Sequence, residues 1–146
     1  MTARWSTRLP GEPTSPREAR RWVAQRLADA GHGDPDAVMI IVSELVTNVV
    51  QHGGGGTVRV SVRVAPGEWA QVEVKDETAA ASPLAFPSVP PPADAEHGRG
   101  LLLVSELSAL SGTDGHGMTW ARVPWVAAPA ADDGALFPVP AAGGAR

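Results

Sequence analysis

Four consecutive glycines at positions 53–56 separate two hydrophobic periods that cannot belong to the same kind of element. Before them, Val38, Ile41, Val42, Leu45, Val46, Val49 and Val50 recur at spacings of three and four, which is one face of a helix. After them, Val58, Val60, Val62 and Val64 alternate with Arg59, Ser61 and Arg63, the period of a half-buried strand. The chain must therefore pack a helix, opened by Asp34-Pro35-Asp36, against a strand over 57–64. Ala65-Pro66-Gly67 turns the chain, and Ala70, Val72 and Val74 alternate again. The pair reads as an antiparallel hairpin.

The flanking segments follow from the same signals. Ser15-Pro16-Arg17-Glu18 is a helix start, with Ser15 as cap, Pro16 at the first helical position and Glu18 closing a capping box. Ala19, Trp22, Val23, Leu27 and Ala30 continue it and Gly31 stops it. Residues 1–14, with Pro10, Gly11 and Pro13, read as an irregular lead-in. Residues 77–97 have little periodicity and hold five of the fourteen prolines. So long a segment without periodicity suits a functional lid or an insert. A third helix is expected from near Gly100, with Leu103, Val104, Leu107 and Leu110 on one face. Met118 to Val123 suits a final strand. Residues 125–146, rich in Ala, Pro and Gly, read as a flexible tail. The ordered domain is then 15–124, and no internal repeat is visible.

Composition narrows the function classes. At 146 residues the chain suits one domain, which buries roughly 68–70% of the surface its unfolded form exposes. It has no cysteine, so disulfide scaffolds, thiolate metal sites and a Cys nucleophile are excluded. The net charge is −4, and arginines cluster along the sequence only at Arg17, Arg20, Arg21 and Arg26, which reads as a solvated helix face. No direct nucleic-acid binding is expected. No apolar run approaches the ~20 residues of a membrane span, and no signal-peptide core is present. A soluble cytoplasmic protein is the expectation.

Three features carry chemistry. Glu44, Asn48 and His52 are spaced i, i+4, i+8 and share one side of the valine-rich helix. A carboxylate and a carboxamide one turn apart suit a Mg²⁺–phosphate site; a polar stripe facing water would look the same. Val72-Glu73-Val74-Lys75-Asp76 delivers Asp76 to a strand end, where its carboxylate can accept a hydrogen bond from a base amino group or simply initiate a turn. Glu96-His97-Gly98-Arg99-Gly100-Leu101 precedes an apolar helix whose free N–H groups can face a phosphate, or marks an ordinary glycine-containing helix entry.

The order of these features is more specific than any one of them. Ser43-Glu44-Leu45-Val46-Thr47-Asn48-Val49-Val50-Gln51-His52-Gly53 resembles the N box of GHKL-type, histidine-kinase-like ATPases. More narrowly it resembles the anti-sigma-factor serine/threonine kinases and related ATP-binding regulators of actinobacterial type. Gly98-Arg99-Gly100-Leu101 is similar to their phosphate-binding box, and the resemblance covers residues 15–123. It implies an α+β, two-layer sandwich of the Bergerat ATP-binding type, with helices on one face of a mixed, mostly antiparallel sheet. It implies that Asn48 coordinates Mg²⁺ on the ATP phosphates, that Glu44 is the general base and that Asp76 binds the adenine amino group. Gly98, Arg99, Gly100 and Leu101 would wrap the phosphates, His52 would lie near them, and 77–97 would be the ATP lid. The activity implied is phosphorylation of a serine or threonine on a small antagonist protein. A sigma factor is the second implied partner, and homodimerisation is expected. The alternative is a non-catalytic ATP-binding module that sequesters a partner.

Two departures stand out: Thr78 occupies a place where many relatives of this type carry glycine, and Gly117-Met118-Thr119-Trp120 lacks a lysine usual before the last strand. A sensor-histidine-kinase reading would need a phosphoacceptor helix pair ahead of Glu44, for which the preceding stretch gives no room. His32, His52, His97 and His116 lack the spacing of a zinc hydrolase. Trp5 and Trp22 suit either partner contacts or core.

Overall fold

The inward valines decide the layering. A computed structural model describes residues 1–53, 55–78 and 99–129, with Arg99 described by its backbone alone. Its elements are β1 (Ala3–Pro10), α1 (Ser15–Ala30), α2 (Pro35–His52), β2 (Thr57–Ala65), β3 (Trp69–Asp76), α3 (Arg99–Leu107), β4 (Leu110–Thr113) and β5 (Met118–Pro124). The strands form one sheet in the order β1-β2-β3-β5-β4. Every pairing in it is antiparallel, so the sheet is simpler than the mixed one expected. The class is the α+β two-layer sandwich.

Register sets what each face carries. Trp5, Val62, Val72 and Ala121 stand in one row across four strands, and they point to the helices. Val58, Val60, Val62, Val64, Val72 and Val74 are all buried there. Each such side chain contributes about 1.5–3 kcal/mol relative to an exposed position. From the other layer, α1 inserts Ala19, Val23 and Leu27, and α2 inserts Val38, Ile41, Val42, Leu45, Val46 and Val49. Gly31 ends α1 in the left-handed conformation (φ 84°) and donates to the carbonyls of Ala28 and Leu27. No helix among the described residues is long and apolar enough to cross a membrane.

The structure corrects several expectations. The lead-in over 1–14 contains an edge strand, β1, whose burial alternates along all eight residues. Ala3, Trp5 and Leu9 pack on the core, while Arg4, Ser6 and Arg8 face outward. Ser15 does not cap α1: Thr14 holds the cap position without a side-chain bond, and the Ser15 hydroxyl donates to the Pro10 carbonyl instead. Leu110 is not on the third helix. It begins β4 and is exposed, because α3 ends at Leu107 and the chain turns to pair with β5. The start of the expected tail is fixed: Gly33 N donates to Val126 O at 2.7 Å and Ala128 N to Gly31 O at 2.9 Å. Trp5 and Trp22 pack against the core. The lid expected at 77–97 lies, beyond Thr78, outside the described residues.

Candidate functional site

One side of α2 carries Glu44, Asn48 and His52 over a rise of about 12 Å. The C-terminal end of that helix abuts the end of β3, and the first turn of α3 lies against its middle. These crossings bring Glu44, Asn48, His52, Asp76 and Gly100 along one line.

At the β3 end, Asp76 is buried on the helix-facing side of the sheet. Its Oδ1 accepts from Thr78 N at 3.0 Å and from Thr78 Oγ1 at 2.6 Å. Its Oδ2 lies so near the end of α2 that a Cβ on Gly53 would stand 2.5 Å from it. Glycine at 53 is thus a condition for seating the carboxylate under the helix end. Thr78, a departure from the family pattern by sequence, orients Asp76, and the Asp-x-Thr spacing is itself an Asx-turn signal. A Cβ on Gly56 would collide with the Thr78 methyl, so the glycine run after α2 leaves room for that threonine.

At the α3 end, a Cβ on Gly100 would collide with Glu44 Oε2. The half-buried Glu44 carboxylate therefore rests on the backbone of the α3 N-terminal turn, where the helix dipole is positive. Between the two ends sits Asn48, whose Nδ2 is buried with no hydrogen-bond partner among the described residues. A buried donor left unmade costs about 1–3 kcal/mol, a cost that an acceptor such as a phosphate oxygen beside Asn48 would remove. His52 is exposed on the last turn of α2.

Of the remaining sequence-predicted residues, Leu101 is buried in the core, so it can offer a ligand only its backbone. Arg99 opens α3, and its side chain and Gly98 lie outside the described residues. Among the described residues no group of three or more His, Cys, Asp or Glu side chains can hold a metal ion. Asn48 and Glu44 suit instead a hard cation that keeps most of its water and shares a ligand phosphate, as Mg²⁺ does.

Beside this line, Ser43, Thr47 and Gln51 wall a groove of about 390 Å³ with Pro13, Pro16, Arg17 and Arg20 of the α1 end. Arg20 Nη1 donates to Ser43 Oγ at 2.7 Å. Two of the four α1 arginines thus face a groove beside the site.

The sequence profile of the histidine kinase-like ATPase domain matches residues 9–119. The chain belongs to that family, one of ATP-binding domains. Among solved structures, it is similar to the crystal structure of the RsbU and RsbW domains of Rv1364c from Mycobacterium tuberculosis, with TM-score 0.60 and 19% identity. That match covers 86% of this chain and 32% of the other, so the chain spans about a third of its structural relative. At this identity the likeness concerns the fold. No curated protein sequence matches the chain.

Proposed function

We propose that the protein is an ATP-dependent serine/threonine protein kinase that phosphorylates a small antagonist protein and restrains a sigma factor in the cytoplasm. The observation that carries the reading is the placement of Glu44 against the α3 N-terminus, with the orphaned Asn48 amide one turn further along α2. Asp76 accepts a hydrogen bond from the adenine amino group, held to that task by Thr78. Asn48 and the backbone of 98–101 hold the phosphates. Mg²⁺, bound through Asn48, supplies neutralisation of the phosphate charge. Glu44 accepts the proton of the attacking hydroxyl as the new P–O bond forms and the bond to the departing ADP breaks. The partners follow from the family resemblance, which also leads us to expect a homodimer.

The second reading is a partner-sequestering ATP-binding module without transfer. It accommodates the same packing of Glu44 onto Gly100, because a carboxylate against backbone can serve to position α3 alone. One experiment separates the two: transfer of labelled γ-phosphate from Mg-ATP to a candidate antagonist, with Glu44→Gln beside the parent. The kinase reading requires transfer that Glu44→Gln abolishes while ATP binding persists. Binding without transfer in the parent leaves only the second reading.

A further inference from the structure

The sheet face opposite the helices carries charge that the nucleotide site does not use. Pairing aligns Arg8, Arg59 and Lys75 in one row across β1, β2 and β3. A second row contains Arg4, Arg63, Gln71 and Arg122 across β1, β2, β3 and β5. These six cations are half of the chain's twelve. Among the described residues the carboxylates that pair with them are Glu73 and Glu77, with Asp114 near Lys75, on a chain whose net charge is −4. The cations come from four strands, and only the strand register gathers them.

Like charges placed directly opposite on neighbouring strands are destabilising, so these rows are a cost to the fold. Part of it is offset. Glu73, almost fully buried, takes Arg4 at 3.0 Å and Arg63 at 3.4 Å, and Glu77 takes Arg8 at 2.7 Å. The rest is left over. Lys75 forms no ion pair within 4.0 Å among the described residues and acts only at longer range on Glu77 and Asp114, and Arg59 reaches Glu77 only at 3.9 Å. Arg122 lies 3.8 Å over the Trp69 ring and spends its Nε on Gln71 Oε1 at 2.9 Å. Its terminal amino groups have no partner among the described residues. The guanidinium is held in place and still open to an anion.

We propose that this face docks an extended, acidic polypeptide segment of a partner protein. The rows are four residues apart along β2, about 13 Å, which matches carboxylates at i and i+4 of an extended chain laid along the strands. A nucleic acid fits less well, because the remainder of the chain is strongly acidic and repels a long polyanion beyond the patch. A second copy of this chain would bring the same cationic rows face to face. The inference does not depend on the nucleotide site, which lies on the helix side of the sheet.

The test uses the full chain and a fluorescein-labelled Glu-Ser repeat peptide, followed by fluorescence anisotropy, with a Lys-Ser repeat and a single-stranded DNA of equal charge as comparisons. The acidic peptide binds, more tightly as salt is lowered, and the Lys-Ser peptide does not. Arg59→Gln/Lys75→Gln weakens it about tenfold, and so does Arg63→Gln/Arg122→Gln. Thermal unfolding shows that each variant is folded, and the first pair touches no stacked side chain. Three outcomes would overturn the proposal: no binding of the acidic peptide at low salt, affinity unchanged in both folded variants, or tighter binding of the DNA. Sedimentation adds a fourth, self-association that these same substitutions abolish.

Discussion

Replacing Asn48 by leucine tests the site through stability rather than catalysis. In the free protein Asn48 Nδ2 is buried without a partner among the described residues, a condition that costs about 1–3 kcal/mol. Leucine has nearly the same shape and no donor to strand. The Asn48→Leu protein should therefore be more stable than its parent by about 1–2 kcal/mol, with a Tm higher by roughly 3–6 °C for a domain of this size. The sign then reverses on adding ligand. A nucleotide at a hundred times its dissociation constant stabilises the parent by about 2.7 kcal/mol, and Asn48→Leu should gain nothing. Thermal unfolding by circular dichroism, with and without Mg-ATP, gives both numbers in one experiment. A variant less stable than the parent without nucleotide would refute the claim that Asn48 is kept at a cost. A variant still stabilised by Mg-ATP would refute the claim that it holds the nucleotide.

Three further outcomes follow from named contacts. Val62, fully buried at the centre of β2, should cost ~2 kcal/mol when cut to alanine, read from the urea midpoint. Thr78→Val removes the hydroxyl that holds Asp76 Oδ1 at 2.6 Å and should weaken Mg-ATP binding about tenfold, measured by calorimetry. His32 is buried, stands 5.0 Å from the Trp125 ring and accepts from Val126 N at 3.3 Å. Burial lowers its pKa below 6.5, against a smaller opposing influence of Asp34. Below pH 6.5 the unfolded chain then binds more protons than the folded one, so this contribution is complete above 6.5 and is lost as pH falls below it. The loss between pH 7 and 5, tracked by chemical unfolding at fixed pH, should be reduced in His32→Gln.

The parts of the fold legible in the sequence are those whose signal is local. The α2 helix, the glycine run and the β2–β3 hairpin are read from period alone, because each buries one face along its whole length. β1 was not legible: Pro10, Gly11 and Pro13 dominate that stretch, and the alternation of Trp5 and Leu9 with Arg4 and Arg8 is interrupted by Thr7 on the inner side. β4 is four residues long and contains Gly112; it exists because β5 pairs with it, while Leu107 and Leu110 mimic helical spacing. Within the site, the stripe Glu44–Asn48–His52 and the strand-end Asp76 were visible as residue types at a spacing. Their meeting was not, since the approach of Gly53 to Asp76 and of Gly100 to Glu44 depends on how the layers cross. Thr78 looked like a defect by sequence and proves to hold the carboxylate. The arginine rows on the outer face are not legible in the sequence, because β1 contributes two of their members and only the strand register aligns them.

The line from Asp76 to Gly100 must hold a nucleotide if the protein works as proposed. Isothermal titration of the full chain with Mg-ATP, taken to millimolar ligand, measures this directly. The expected result is one saturable site per chain, lost in Asn48→Leu and weakened in Thr78→Val. A flat titration of the folded parent, or equal binding by parent and Asn48→Leu, would contradict it.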